Sequence, residues 1–199
     1  DVRILGWQEL SAEQRASLSD DFDRRIFPVL TPMAVDPAHP FPYISNLALN
    51  LAVIARDPNS GEKRFARLKI PKNLPRFMRV GSQNHFVLLE DVISANLSRL
   101  FQGMSIEECF VFRVSRNADL SLDDEDAEDL LAAVEMELRR RRFGRAVRIE
   151  IPLGTTQEVL DLMCEELELE PSDVTFHNGM IEMNALNQLA SLDVAGLRF

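Results

Sequence analysis

The stretch LALNLAVIARDPNSGEKRFARLKI, residues 47–70, contains the pattern that decides the fold. Its two ends, residues 47–56 and 64–70, are short aliphatic-rich runs that are typical of β-strands. Residues 57–62 between them supply the proline, asparagine and glycine that favour a turn. The pattern therefore predicts a β-hairpin.

The segment before the hairpin, residues 28–43, contains five prolines. Each proline fixes its own φ and disfavours the α region for the residue before it, so this segment is predicted to be extended and irregular. Its many apolar side chains favour a segment packed against the protein over a free linker. Residues 11–27 are predicted to form a helix, with Ser11 and Gln14 as a capping box and Pro28 as its stop.

Helices and strands alternate after the hairpin. Strands are predicted at residues 85–89, 109–115, 146–151 and 173–176, and helices at residues 91–101, 124–143 and 183–190. Thr155 and Glu158 are predicted to form the capping box of a further helix, whose apolar stripe includes Val159 and Met163. Because strands occur both in a run and in alternation with helices, the predicted fold class is α+β, with a mixed or antiparallel sheet and packed helices.

Blocks of like charge lie at both ends of the predicted helix 124–143. Acidic residues occupy Asp123–Asp126 and arginines occupy Arg139–Arg142, and both blocks complement the helix dipole. A cation site at the acids and a phosphate site at the arginines are the alternative interpretations. The dipole is the simpler explanation, because the acids lack the ligand spacing of a calcium loop and consecutive arginines point around the helix.

The composition excludes several classes of protein. The chain has 199 residues, of which 46% are hydrophobic and 27% charged, so it is predicted to be globular rather than disordered. A net charge of −10 disfavours a generic nucleic-acid binder. No apolar run is long enough for a transmembrane segment, and no secretory leader is visible. Cys109 and Cys164 cannot form a disulfide framework and fit a cytoplasmic setting. A chain that begins with Asp is expected to be a piece of something longer.

The sequence lacks the common catalytic signatures. It contains no G-x-x-x-x-G-K-[ST] phosphate loop, no G-x-G-x-x-G and no G-x-S-x-G. His39, His85 and His177 are scattered and have no metal-ligand spacing with the cysteines. These residues are therefore predicted to have structural roles, and no catalytic residue and no metal ligand are assigned.

The segment from Arg56 to Arg79 is locally basic, with a net charge of +6 from eight cations and two acids. Strand alternation places Arg67 and Lys69 on one face of the second hairpin strand. One interpretation is a surface that binds a polyanion, and the other is an ordinary solvated sheet face; both stay open. The candidate polyanion contacts are Arg64, Arg67, Lys69, Lys72, Arg76 and Arg79.

Four stretches resemble the bacterial polyphosphate kinase family, in the same order and over essentially the whole chain. They are FPVLTPMAVDPAHPFPYISNLALNLAV (27–53), LKIPKNLPRF (68–77), VSRNADL (114–120) and ELRRRRFGRAVRIEI (137–151). The resemblance implies a four-domain enzyme that transfers the terminal phosphate of ATP reversibly to polyphosphate, through a phosphohistidine and Mg²⁺. This chain is similar to the middle or head domain, which in the family mediates dimer contacts and has a fold likened to PX domains.

The resemblance transfers no catalytic residue to this chain. The nucleophilic histidine and the phosphate-binding arginines of the family lie in two C-terminal, phospholipase D-like domains, and an N-terminal helical domain helps to hold the adenine. His39 belongs to the middle-domain segment and is not the phosphorylated histidine. ATP and Mg²⁺ are therefore expected to bind mainly to the absent domains. A self-sufficient phosphotransferase is the disfavoured alternative.

The resemblance also sets expectations about organisation and partners. Residues 1–199 are expected to form a single middle domain, with residues 1–27 as a leading helical segment next to the N-terminal domain. The expected partners are the N-terminal and two C-terminal domains and a second copy of the chain, without nucleic acid. The expected interface residues are the apolar Phe41, Tyr43, Leu197 and Phe199. Polyphosphate or an anionic headgroup is the alternative ligand. The expected location is cytoplasmic, with membrane association of the parent enzyme left open.

Overall fold

The computed structural model describes residues 2–35, 41–117 and 144–192. The strands are β1 Arg3–Ile4, β2 Met33–Val35, β3 Leu49–Arg56, β4 Lys63–Lys69, β5 Phe77–Val80, β6 His85–Leu88, β7 Ser105–Arg116, β8 Ala146–Pro152 and β9 Val174–His177. The α-helices are α1 Ala12–Asp21, α2 Leu89–Ala95, α3 Leu97–Leu100, α4 Gln157–Leu167 and α5 Leu186–Ala190. Short 3₁₀ turns lie at Trp7–Glu9, Phe27–Val29, Pro171–Asp173 and Met183–Ala185, and a π-helical turn lies at Phe22–Ile26.

The chain divides into two compact units, each built from separated segments. Among the described residues, the first unit comprises residues 2–35, 50–111 and 182–192. The second unit comprises residues 41–49, 112–117 and 144–181. Antiparallel and parallel strand pairs occur together with helices, which confirms the predicted α+β class with mixed sheets. The predicted helix 124–143 and its charge blocks lie outside the described residues.

The N-terminal helix begins as predicted and ends differently. The Gln14 N–H donates to Ser11 Oγ over 3.2 Å, and Gln14 Oε1 accepts from the Ser11 N–H over 2.8 Å, which confirms the capping box. The α-helix ends at Asp21 and continues as a π turn and a 3₁₀ turn, so Pro28 does not stop the helical path. Proline is tolerated in the first residues of a helical turn because its missing N–H needs no partner there. Phe22 and Ile26, on the π turn, are fully buried.

The predicted hairpin is the centre of the first unit. Strands β3 and β4 pair antiparallel from Asn50↔Lys69 to Arg56↔Lys63. In the turn, the Asp57 N–H donates to the Glu62 carbonyl over 2.9 Å, and Gly61 takes a φ of +73° that suits glycine. Strand β2 pairs antiparallel with the other edge of β4, so the proline-rich segment is not wholly irregular as predicted. Its residues between the prolines are free to form ladder hydrogen bonds.

A second small sheet of the first unit has the strand order β1-β6-β5. The sequence prediction left residues 77–80 in a proline-punctuated loop, and it missed the two-residue β1 entirely. The predicted helix 91–101 begins earlier, at Leu89, and is divided at Asn96 into α2 and α3. The Asn96 side chain donates to the Val92 carbonyl over 2.8 Å. Asparagine side chains commonly compete with the helix backbone in this way.

In the second unit, β8 lies between β7 and β9, antiparallel to the first and parallel to the second. Helix α4 has Thr156 as its N-cap, so the predicted Thr155–Glu158 capping box is wrong. The Thr155 hydroxyl instead donates to the Pro152 carbonyl over 3.0 Å, which places this side chain in the preceding turn. Of the apolar stripe predicted for α4, Val159, Met163 and Leu167 are buried, and Leu160 is half-buried. No helix within residues 2–35, 41–117 and 144–192 is both long and apolar enough to cross a membrane.

Candidate functional site

The six candidate polyanion contacts divide into two groups in the structure. Arg64, Lys69, Lys72 and Arg79 are exposed, whereas Arg67 and Arg76 are buried at 6% and 8% exposure. A buried guanidinium that already has hydrogen-bond acceptors is not available to an incoming phosphate chain. The structure therefore leaves four of the six candidate contacts accessible to a ligand.

Arg67 is buried because its strand is covered on both edges. Strand β4 lies between β2 and β3, with Met33 directly opposite Arg67 on one side. The Arg67 Nε donates to Asn50 Oδ1 over 2.8 Å, and Asn50 is itself fully buried. Burial lowers the pKa of Arg67. Strand alternation correctly placed Arg67 and Lys69 two residues apart on one strand, yet only Lys69 is exposed.

Arg76 is the centre of a buried charge cluster in the first unit. Its Nε lies 2.9 Å and 3.2 Å from the two carboxylate oxygens of Glu90, which is 3% exposed. Its Nη1 donates to the Glu182 carbonyl over 2.8 Å and lies 3.2 Å from Glu182 Oε2. Burial raises the pKa of the neighbouring Asp91 to about 6, and the Glu90 charge adds to this shift while Arg76 opposes it. Arg76 therefore neutralises the buried Glu90 and the half-buried Glu182 of its own chain.

Other cations of the basic segment also have acidic partners. Arg56 pairs with Glu107, Lys63 lies 3.6 Å from the same carboxylate, and Arg64 lies 3.1 Å from Glu62. The hydrogen bond from Arg56 is the main cause that lowers the pKa of Glu107. The net charge of the segment, read from its sequence alone, overstates the positive charge that reaches solvent.

Sequence reasoning missed the acids that neutralise this segment, Glu90, Glu107 and Glu182. They lie 14, 51 and 106 residues along the chain from the arginines that they contact. No local periodicity connects residues at such separations. Only the pairing of strands and the return of the chain after residue 181 bring them together.

A second charge cluster lies on the sheet of the second unit. Arg113 and Glu150 are direct partners across β7 and β8 and form a salt bridge. Arg148 Nη2 and His177 Nε2 lie 3.6 Å and 3.4 Å from Glu150 Oε1. The hydrogen bond from Arg113 is the main cause that lowers the pKa of Glu150. The attraction between Glu150 and the two arginines stabilises this sheet.

The predicted interface residues are described only in part. Tyr43 is 39% exposed and Phe41 is half-buried, while Leu197 and Phe199 lie outside the described residues. The Arg116 guanidinium lies 4.3 Å from the centre of the Tyr43 ring, a cation–π distance. Arg116 also donates to the Ile44 carbonyl over 2.7 Å. This hydrogen bond fixes the guanidinium against which the Tyr43 ring packs.

The cysteines and histidines offer little reactive chemistry. Burial raises the pKa of both the Cys109 and the Cys164 thiols, so neither is predisposed to act as a thiolate nucleophile. Within the described parts of the chain, no three His, Cys, Asp or Glu side chains are grouped so that they could hold a metal ion. The described residues therefore offer no metal site built from protein side chains alone. His39 lies outside the described residues.

Comparisons with known proteins agree on one family. Residues 13–189 match the family model described as the polyphosphate kinase middle domain. The polyphosphate kinase of Thermosynechococcus vestitus is 49% identical over 193 residues, and the match covers 93% of this chain. The polyphosphate kinase of Streptomyces coelicolor is 46% identical over 198 residues, and the match covers 100% of this chain. The chain spans 26% of the length of each of these relatives.

A solved structure shares the fold. The crystal structure of polyphosphate kinase from Porphyromonas gingivalis matches 98% of this chain and 27% of its own, with a TM-score of 0.74 and 23% sequence identity. At this level of identity the likeness concerns the fold.

Proposed function

The chain belongs to the polyphosphate kinase family, whose middle domain it matches over residues 13–189, and we propose that it is the non-catalytic middle domain of a longer phosphotransferase. The longer enzyme would transfer the terminal phosphate of ATP reversibly to polyphosphate. The observation that carries this proposal is that the chain matches about a quarter of the length of relatives that are named polyphosphate kinases.

The proposal assigns ATP and Mg²⁺ to the other domains of the parent enzyme, one N-terminal and two C-terminal. It is supported by the length of the relatives, of which this chain spans only 26%. Phosphoryl transfer requires a positioned nucleophile and groups that neutralise charge on the transferred phosphate. The carboxylates and arginines of the two charge clusters are engaged with one another instead.

We further propose that residues 1–199 act as one domain, with residues 1–27 next to the N-terminal neighbour. The interleaved segments support this, because neither compact unit is a continuous piece of chain. We also propose a homodimer through this domain, to which the exposed Tyr43 would contribute an aromatic contact. A cytoplasmic location is supported by two free cysteines.

The test compares two purified proteins, the 199-residue chain and the full-length enzyme, each incubated with ATP and Mg²⁺. The full-length enzyme should make polyphosphate, and the chain alone should make none above the blank. Circular dichroism establishes that the chain is folded in the same buffer. Synthesis of polyphosphate by the folded chain alone would contradict the proposal.

A second candidate function is binding of polyphosphate or an anionic headgroup by the basic segment. The supporting observation is that Arg64, Lys69, Lys72 and Arg79 are exposed within one stretch of chain. Lys69 and Lys72 are the exposed lysines of this group and offer compact charges to a phosphate chain. Because the whole chain carries a net charge of −10, only weak binding that depends on salt is proposed.

A further inference from the structure

A cavity of about 390 Å³ lies within the first unit. Cavities of this size hold small organic molecules. Its lining residues come from the end of α1 and the π turn, the loop before β5, the strands β5 and β6, the start of α2, and the chain around α5. The apolar lining includes Leu74, Met78 and Phe86, and the polar lining is Asp21, Arg25, Arg79 and Gln188.

Hydrogen bonds hold the wall that α5 contributes. Gln188 Oε1 accepts from the Phe77 N–H over 3.1 Å, and Gln188 Nε2 donates to the Phe77 carbonyl over 2.7 Å. The adjacent Arg76 joins the same stretch of chain to α2 through Glu182 and Glu90. The cavity is therefore preformed, and binding of a ligand would not require this wall to become ordered at a cost in entropy.

The charges of the lining favour an anion. Arg25 and Arg79 contribute two positive charges and Asp21 contributes one negative charge, so the lining carries a net charge of +1. The Arg79 guanidinium lies 5.3 Å from the centre of the Phe86 ring, which orients this cation beside an aromatic wall. The remaining lining is largely apolar, so the cavity combines an apolar body with a cationic edge.

We propose that this cavity binds a small amphiphilic anion, with an aromatic or aliphatic body of about two rings and a single carboxylate, sulfonate or phosphate. The body would contact Leu74 and Met78, which are only half-buried, and the acidic group would face Arg25 and Arg79. Inorganic polyphosphate lacks an apolar body, so this ligand class differs from the polyanion considered for the exposed lysines. The site is thus distinct from the proposed phosphotransferase function.

The test uses 2-naphthoate as the probe and 2-naphthalenemethanol as its neutral analogue, titrated into the isotopically labelled 199-residue chain and followed by NMR. Naphthoate should bind saturably, with the largest shifts at the lining residues. The alcohol should bind roughly tenfold more weakly, because it lacks the charge-assisted contact. Equal affinity for the two probes, or no saturable binding of naphthoate, would overturn the proposal.

A matched pair of variants tests the role of the cationic edge. Arg25→Ala should weaken naphthoate binding several-fold, whereas Arg24→Ala, which removes an exposed neighbouring arginine outside the lining, should change it less than twofold. Equal effects of the two variants would overturn the proposed site. Leu74→Trp should fill the cavity and abolish binding. If this variant does not fold, the comparison of Arg25→Ala with Arg24→Ala still tests the proposal.

Discussion

Arg76 Nη1 donates a hydrogen bond to the backbone carbonyl of Glu182 over 2.8 Å and so joins positions that are 106 residues apart. Glu182 takes a left-handed backbone conformation, with φ of +64° and ψ of +73°, which costs a non-glycine residue about 1 kcal/mol or more. The bonds from Arg76 compensate for this cost and fix the start of the segment that carries α5.

Replacement of Arg76 should strongly destabilise the protein. In Arg76→Ala, Glu90 stays buried without its main counter-ion, and such a loss costs about 3–5 kcal/mol. The matched control is Arg64→Ala, which breaks the exposed pair with Glu62 and should cost less than about 1 kcal/mol. Urea denaturation measures both free energies of unfolding. Similar values for the two variants would show that burial of the Arg76 pair is not what stabilises this region.

Asp91 should make the protein less stable as the pH rises. Its pKa is raised to about 6 in the folded state, mainly by burial, so between its unfolded pKa and about 6 only the folded state retains the proton. The stability linked to this proton is present at low pH and is lost as the pH rises through 6. Asp91→Asn should therefore be more stable than the parent by about 2 kcal/mol at pH 7, and nearly equal at pH 4.

The measurement for Asp91 is urea denaturation of both proteins at several pH values between 4 and 8. The difference between the two free energies of unfolding should widen between pH 4 and about 6 and level off at higher pH. A difference that is constant over this range would mean that Asp91 does not titrate in the folded protein as stated.

Glu150 should show the opposite pH dependence. Its pKa is lowered, mainly by the hydrogen bond from Arg113, so its contribution to stability is present above its unfolded pKa and is lost as the pH falls. Glu150→Gln should lower the free energy of unfolding by about 2 kcal/mol at pH 7, because it removes the carboxylate that pairs with both Arg113 and Arg148. The cost of the same variant should shrink as the pH falls below the unfolded pKa of Glu150. A cost that does not shrink in acid would contradict the electrostatic role of this carboxylate.

The exposed lysines provide the test for polyphosphate binding. Lys69→Ala/Lys72→Ala should weaken binding of a short polyphosphate at low salt, and the slope of log affinity against log salt should fall by about 1–2 units. Arg3→Ala/Arg24→Ala removes two exposed cations outside the basic segment and is the matched control. Isothermal titration calorimetry at two salt concentrations measures both. If both double variants bind like the parent, the segment is a solvated sheet face.

Tyr43 provides the test for dimerisation. Tyr43→Asp places a charge on an exposed aromatic site and should weaken a homodimer of the chain at least roughly tenfold. Leu153→Asp is the control, since Leu153 is exposed to 62% and was not among the predicted interface residues. Sedimentation velocity measures the monomer–dimer equilibrium. A monomeric parent chain, or a weaker dimer in the control alone, would count against an interface at Tyr43.

Local patterns predicted much of the fold. The Ser11–Gln14 capping box and the hairpin with Gly61 in its turn depend on residues close in sequence, and both are present. The prediction failed where two local signals compete. At Thr155 the hydroxyl bonds to the preceding turn, and at residues 77–80 a short strand follows a proline and gains its stability from β6.

The candidate site was harder to predict, for a physical reason. Alternation along β4 indicates which side chains share a face, but it does not indicate whether that face is covered. Arg67 lies against Asn50 and Met33, whereas Lys69 lies in solvent. Likewise, the charge of Arg76 is visible in the sequence, but its partner Glu182 is defined only by the folded chain.

The first unit is assembled from three separate segments, and the last of them, residues 182–192, supplies Glu182 and Gln188. During synthesis on the ribosome, these residues emerge after all the residues of the second unit. A nascent chain that stops before residue 182 has Arg76 in place but lacks the acceptor at Glu182 and the wall of the cavity. The order of translation thus means that the first unit can close only after the whole second unit has been synthesised.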